Sequence, residues 1–203
     1  MKCLLVDTST KCVNIGVSID DKLVYSLHKV IDENLSVCCL NLIDEALKSS
    51  NLSLQDIDKI FACVGPGSFT GIRIGLTILK VIAWSLKIDV VPISSLEIMA
   101  SIPNGSMYNV PFIDARRGNC FTAVYDSDLN VVKNDMFVSM DVLDSMKNDS
   151  SYFVFSYDED IYDVDLMKVI NKHLNDKSIN PHELNPNYLK LTEAEENLLK
   201  KND

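Results

Sequence analysis

Histidine is scarce in this chain. His28, His173 and His182 are the only three in 203 residues, and no His-x-x-x-His occurs, so the paired imidazoles of a helical zinc site are missing. A serine or cysteine nucleophile would likewise find no base beside it that the sequence can name. The six cysteines (Cys3, Cys12, Cys38, Cys39, Cys63, Cys120) lie mostly in apolar runs without a Cys-x-x-Cys pair, which suits reduced core thiols rather than bridges or zinc. No stretch of about 18 or more apolar residues appears, and Asp7 cuts off the apolar start at Cys3–Val6. Neither a membrane span nor a signal peptide is therefore expected, and the protein is expected in the cytosol. Basic charge is also short: 19 Lys+Arg against 29 Asp+Glu give a formal charge of −10. Nucleic-acid phosphates would be repelled by the molecule as a whole, so any RNA contact needs a partner. Low-complexity tracts and long internal repeats are missing too. What remains is an ordinary globular composition, 47% hydrophobic and 24% charged, enough for one full core or two small lobes.

The most strongly marked stretch is Gly65-Pro66-Gly67-Ser68-Phe69-Thr70-Gly71-Ile72-Arg73-Ile74-Gly75. A short apolar run, Lys59–Val64, precedes it and reads as a buried strand; a helix through Leu86 follows. Gly-Pro-Gly lets the backbone turn sharply, and Ser68 or Thr70 can cap the helix, so the stretch is a strand-to-helix elbow. Along Gly71–Leu86 the polar residues Arg73, Thr77 and Lys80 form one narrow stripe, and nearly everything else is apolar. Gly71 and Gly75, one turn apart, leave a flat strip open to another backbone. Such a helix is either sunk in its own fold or shared with a second protein.

In chain order, Lys2–Val6, Val13–Ile19 and Leu23–Val30 read as three antiparallel strands. A helix from Asn34 or Ser36 to Lys48 follows, with Leu40, Ile43 and Leu47 on one face. Then come the strand Asp58–Val64, the elbow and its helix, the strand Asp89–Ile93 and a short helix Ser95–Ser101 capped by Ser94. The order β-β-β-α-β-α-β-α predicts an α/β fold of the ribonuclease-H-like or actin-like kind. Pro103-Asn104-Gly105 marks the expected boundary between an N-terminal lobe, 1–102, and a shortened C-terminal lobe, 103–203. In the latter, strands are expected at Asn109–Asp114, Cys120–Tyr125, Val131–Val138 and Tyr152–Phe155, and helices at Met140–Met146 and Asp163–Leu174. The tail Asn187–Asp203 is expected to pack weakly.

Two turns are candidate anion sites. Asp7-Thr8-Ser9-Thr10 follows the first strand, where hydroxyls and a carboxylate can meet a phosphate and its magnesium, or simply make a turn. Asp114-Ala115-Arg116-Arg117-Gly118 holds the matching place in the second lobe, where two arginines can grip an anion or lie solvated. Gly65, Gly67 and Ser68 could join them at the helix start. However, no lysine follows the last glycine as in a P-loop, and the spacing misses the dinucleotide fingerprint by one residue. No catalytic set and no metal set emerges.

The elbow resembles the TsaB (YeaZ) family, whose members carry a nearly identical G-P-G-S-F-T-G-x-R-I-G run. Asp7-Thr8-Ser9-Thr10, Pro92-Ile93-Ser94-Ser95-Leu96-Glu97 and Asp114-Ala115-Arg116-Arg117-Gly118 sit where that family has them, and Pro186-Asn187-Tyr188-Leu189 resembles its closing motif. The resemblance is dense over the first 125 residues and thin beyond. Where many relatives have a His-Ser pair leading into the first helix, this chain has Ser36-Val37-Cys38-Cys39. The resemblance implies an actin-like ATPase fold without its catalytic metal site. It also implies a non-catalytic subunit of the bacterial machinery that makes N6-threonylcarbamoyladenosine at position 37 of tRNA. That subunit pairs with its paralogue TsaD through the first two helices, with the ATPase TsaE as third component. No cofactor of its own is implied; ATP or ADP with magnesium would enter only in the complex with TsaD, and tRNA only through it. The expected contact surface is Leu40, Ile43 and Leu47 with Gly71, Ile72, Arg73, Gly75, Leu76, Leu79, Lys80 and Ala83. Charged residues at Leu76 and Leu79 are accordingly expected to abolish pairing and leave the fold intact. In the partner's absence the same surface is expected to form a twofold homodimer. The alternative is an ATP-dependent phosphotransferase or ATPase holding phosphates between Asp7–Thr10 and Gly65–Ser68. A metallopeptidase, the third possibility, fails for want of the histidine pair.

Overall fold

The computed structural model describes residues 1–31, 34–158 and 162–189. Strands β1 (Lys2–Asp7), β2 (Cys12–Ile19) and β3 (Lys22–Val30) form an antiparallel meander, in register from Asp7↔Asn14 outward. Helix α1 (Leu35–Ser49) crosses to β4 (Lys59–Gly65), which lies parallel to β1; α2 (Phe69–Leu86) crosses to β5 (Asp89–Ser94), parallel to β4. The resulting sheet runs β3-β2-β1-β4-β5. Burial explains the composition of each strand. The central β1 and β4 are covered on both faces and read as continuous apolar runs, whereas edge strand β3 alternates.

After α3 (Ser95–Ala100) a second sheet is laid down from β6 (Tyr108–Arg116), β7 (Asn119–Asp126), β8 (Val131–Ser139) and β9 (Tyr152–Phe155), with α4 (Asp141–Lys147) between the last two. Its order is β8-β7-β6-β9, one strand fewer than the first sheet. These elements lie within a residue or two of the sequence expectation. Helix α5 (Leu166–His173) is shorter than the expected Asp163–Leu174, because Asp165 caps it by accepting from the Lys168 N–H.

The two sheets do not have separate interiors. One apolar cluster joins Leu5, Phe61 and Ile93 of the first sheet to Phe121, Tyr125 and Phe155 of the second through α3 and α5. A second cluster packs α1 and α2 against the other face of the first sheet. Beyond α5 the chain returns to the first sheet: Ile179 bridges Val90, and Lys59 donates to the Leu174 carbonyl at 2.8 Å. A latch of charges fixes α5 to α3. Buried Glu97 accepts from Lys172 and from His173 Nε2 (2.9 Å), while His173 Nδ1 meets Asp176 at 2.6 Å.

Two expectations change here. Residues 187–189 do not pack weakly: the Asn187 N–H donates to the Val64 carbonyl at 2.8 Å, and Tyr188 stacks on Phe69 with ring centroids 5.0 Å apart. The remainder of the expected tail, 190–203, lies outside the described residues. Second, α2 is by length and composition apolar enough to cross a bilayer, with mean hydropathy 1.4 over 18 residues. It nevertheless carries Arg73 and Lys80 and buries seven of its residues against its own fold, the pattern of a helix lying with one stripe on a sheet.

Candidate functional site

The β1–β2 turn and the elbow are packed into each other. Asp7 is fully buried, and both carboxylate oxygens are occupied: Oδ1 accepts from the Ser9 N–H (2.8 Å) and Ser9 Oγ (2.6 Å), and Oδ2 from Asn14 Nδ2 (2.9 Å). Thr8 Oγ1 donates to the Gly71 carbonyl at 2.8 Å, and the Ser68 N–H to the Ser9 carbonyl at 2.6 Å. This approach is what the glycines permit. A Cβ at Gly67 or Gly71 would drive into the Ser9 or Thr8 carbonyl oxygen, and one at Gly75 into Thr8 Oγ1. Ser68 caps α2 by accepting from the Gly71 N–H at 3.2 Å, as expected; Thr70 lies inside the helix. The turn and the elbow are therefore fixed to each other by direct backbone and side-chain contacts. Asp7 is buried with both oxygens engaged by its own chain, which is the turn-forming role of the two expected for it.

Beside this unit a cleft of about 580 Å³ opens between the two sheets. Ser9, Thr10, Gly67, Ser68 and Arg116 of the predicted anion residues border it; Thr8, Gly65 and Arg117 do not line it. Below it runs a buried polar chain. Asn14 Oδ1 meets His28 Nδ1, His28 lies 3.5 Å from Cys12 Sγ, and its ring packs edge-on against Tyr157 at 5.3 Å. Burial lowers the His28 pKa despite Asp163 and Asp7, and pushes the Cys12 thiol up to about 12. Neither is tuned as a nucleophile-base pair.

The expected partner surface is redistributed by the structure. Ile43, Leu47, Ile72, Leu76, Leu79 and Ala83 are buried in the chain's own core against the first sheet, and Gly71 and Gly75 are closed by Thr8. The physical reason is that one stripe of each helix must cover the sheet, and these residues supply it. Charges at Leu76 and Leu79 would thus unfold the protein, contrary to expectation. Leu40 and Arg73 are exposed and Lys80 half-buried. The apolar excess lies on the opposite stripes: Val37 (71% exposed) and Leu40 (51%) on α1, Val81 (58%) and Trp84 (62%) on α2, with Ile74 and Ile78 half-buried beside them. Spacing held the clue. Ile74, Ile78 and Val81 follow at i, i+4 and i+7, and Trp84 continues the stripe of Arg73, Thr77 and Lys80. Arg73 is held by its own chain: Nε donates to Tyr188 Oη at 2.6 Å, and the guanidinium lies 3.7 Å over Phe69. Farther along α2, His182 packs edge-on against Trp84 at 5.8 Å. The sequence offered the Pro-Asn-Tyr-Leu motif but no sign that it straps the elbow.

Strand order 3-2-1-4-5, a second smaller sheet and a cleft between the two sheets define a two-lobed α/β protein of actin-like fold. A family model described as TsaD, tRNA N6-adenosine threonylcarbamoyltransferase, matches residues 27–151. TsaB, the tRNA threonylcarbamoyladenosine biosynthesis protein, is 36% identical in Bacillus subtilis over 128 residues, 62% of this chain and 55% of that protein. In Escherichia coli it is 31% identical over 133 residues, 64% of this chain and 57% of that protein. The matched part thus spans little more than half the length of these relatives. YeaZ from Pseudomonas aeruginosa superimposes with a TM-score of 0.79 over 93% of this chain and 99% of that one, at 19% identity, a likeness of fold. The chain belongs to this threonylcarbamoyltransferase-related family, in its TsaB (YeaZ) branch.

Proposed function

We propose that this protein is a non-catalytic scaffold of the tRNA threonylcarbamoyladenosine machinery, pairing with a TsaD-type subunit through the outward stripes of α1 and α2. The observation that carries this is the exposed apolar set Val37, Leu40, Val81 and Trp84 on two adjacent helices. A lone exposed leucine needs no explanation, but four exposed apolar side chains on two neighbouring helices, the chain's one tryptophan among them, do. The match to a family model named for TsaD supports a partner of the same fold, since related folds pair readily through equivalent elements. The inward-facing Asp7 supports a role without phosphate chemistry of its own. A charge of −10 supports leaving tRNA to the partner. In this reading TsaE joins the pair as third component, magnesium and ATP or ADP enter only with the assembled complex, the cytosol is its place, and the free chain forms a homodimer through the same face.

The test is Val81→Glu with Trp84→Glu, titrated against the TsaD-type subunit of the same organism. Each buried anchor is worth about 2 kcal/mol or more at such an interface, so the double variant weakens the complex on the order of a thousandfold. Its circular dichroism and melting stay near wild type, because both side chains are exposed. Unchanged affinity overturns the proposal.

A further inference from the structure

The outward stripe of α2 carries charge that apolar docking alone does not use. Resting on the proposed pairing with a TsaD-type subunit, we infer that Arg73 is a pre-organised clamp for a carboxylate of that subunit, and that residues 181–188 are the brace that holds it ready. Three observations converge. First, the stripe is cationic in an acidic chain. Acids outnumber bases 29 to 19 overall, yet α2 carries Arg73 and Lys80 and no Asp or Glu, so neither cation has an acid three or four residues away on its own helix. Neither makes an ion pair among the described residues. Second, the Arg73 side chain is already ordered. Nε donates to Tyr188 Oη at 2.6 Å, and the guanidinium lies 3.7 Å over Phe69 and 5.7 Å from the centre of the Tyr188 ring. That grip takes only the Nε edge: the two terminal nitrogens make no hydrogen bond among the described residues, and the side chain is exposed. Third, one segment serves both ends of the stripe. From Trp84, where His182 packs edge-on, it runs back along α2 through buried Leu184, in the same apolar cluster as Leu76 and Ala83, to Asn187 on Val64 and Tyr188 on Arg73.

Tryptophan and arginine are the residue types that carry most of the energy at interfaces, and the segment fixes one of each. Ordering a long side chain on association lowers affinity by about two- to tenfold, and here the fold has removed that loss beforehand. The chemistry defines the partner's side of the contact. It is a planar carboxylate accepting two N–H bonds from the free end of the fork, beside the apolar surface that covers Val81 and Trp84. Lysine cannot stand in for Arg73, because an ammonium neither stacks flat on Phe69 nor presents two parallel donors.

The experiment is calorimetric titration of the full chain against the TsaD-type subunit of the same organism, at about 50 mM and about 500 mM salt. The variants are Arg73→Lys, Arg73→Gln, Tyr188→Phe and the double variant Arg73→Gln with Tyr188→Phe. Arg73→Lys and Arg73→Gln each weaken the complex about tenfold or more, and the Arg73→Gln complex loses less affinity than wild type as salt rises. Tyr188→Phe keeps the ring on Phe69 and removes only the hydroxyl, so it weakens the complex about threefold, and it adds nothing once Arg73 is replaced. Wild-type affinity in Arg73→Lys overturns the inference. So does a salt dependence that Arg73→Gln leaves unchanged, or an effect of Tyr188→Phe that is the same with and without Arg73. Val81→Glu with Trp84→Glu is titrated alongside to separate the two claims. If it binds as wild type, the docking face is wrong and the clamp falls with it; if it loses the subunit while Arg73→Lys binds as wild type, the face stands and the clamp alone is refuted.

Discussion

Gly71→Ala is the sharpest probe of how the elbow is used. On an ordinary helix the change would stabilise the protein by about 1 kcal/mol, since alanine is the better helix former. Here the added methyl would sit far closer to the Thr8 carbonyl oxygen than the 3.0 Å that real Cβ contacts essentially never cross, and its obstacle is backbone. Relief requires the β1–β2 turn and α2 to move apart. That movement breaks the Thr8 Oγ1 bond to the Gly71 carbonyl (2.8 Å) and the Ser68 N–H bond to the Ser9 carbonyl (2.6 Å), at about 1 kcal/mol each. Overpacking strain adds about 1–3 kcal/mol. Against the propensity gain, the net loss is about 2–4 kcal/mol, read as a lower urea midpoint at unchanged slope. Gly105→Ala is the control. Gly105 has a positive φ (+75°), unlike the helical Gly71, but a Cβ there meets nothing within 4 Å, so the change loses only the backbone term, about 1 kcal/mol. A Gly71→Ala protein as stable as wild type would refute the claim that these glycines serve the hairpin turn.

The Glu97–His173–Asp176 latch makes stability pH-dependent on two limbs. Burial alone would lower the His173 pKa, but hydrogen bonds to Glu97 and Asp176 outweigh it and raise the pKa above 6.5; that contribution is complete below 6.5 and lost as pH rises through the raised value. Burial likewise opposes the hydrogen bonds from His173 and Lys172 that hold Glu97 below its ordinary 4.5, so its contribution is complete above 4.5 and lost as pH falls through the lowered value. Melting temperature against pH should therefore decline on the alkaline side in wild type and flatten there in His173→Gln, with about 1.5–3 kcal/mol lost near pH 6; a parallel alkaline decline in both proteins contradicts the assignment. Tyr188→Ala removes the stack on Phe69 and the Arg73 bond, and is expected to cost about 1–2 kcal/mol and to expose the elbow to proteolysis. Equal cleavage rates at Ser68–Thr70 in variant and wild type would count against the strap.

Nearly all of the fold was legible, because period and punctuation agreed. The β1–β3 meander, the glycine elbow and the alternation of strands with apolar helices each left one arrangement open, and the structure has it. The second sheet was found strand by strand, but not the shared interior, since nothing in Leu166 or Val169 announces that they pack across both sheets. For the helices, sequence showed that apolar surface was in excess but assigned the wrong stripe to the outside. Ile72, Leu76 and Leu79 are as apolar as Val81 and Trp84, and only the position of the sheet separates them. At the turn, Asp7 read equally as ligand and as turn former. Asn14, seven residues away on the next strand, decided it by taking the second oxygen, a contact that follows from antiparallel register. The strap of residues 187–189 depends on a contact more than a hundred residues distant, which no local pattern encodes.

The outward stripes of α1 and α2 are the proposed seat of another subunit. Hydrogen–deuterium exchange of the chain, alone at low concentration and then saturated with the TsaD-type subunit, measures this directly. The prediction is new protection confined to peptides covering residues 35–42 and 74–85, with β6–β9 unchanged. Protection centred on the second sheet, or none on either helix, would contradict it.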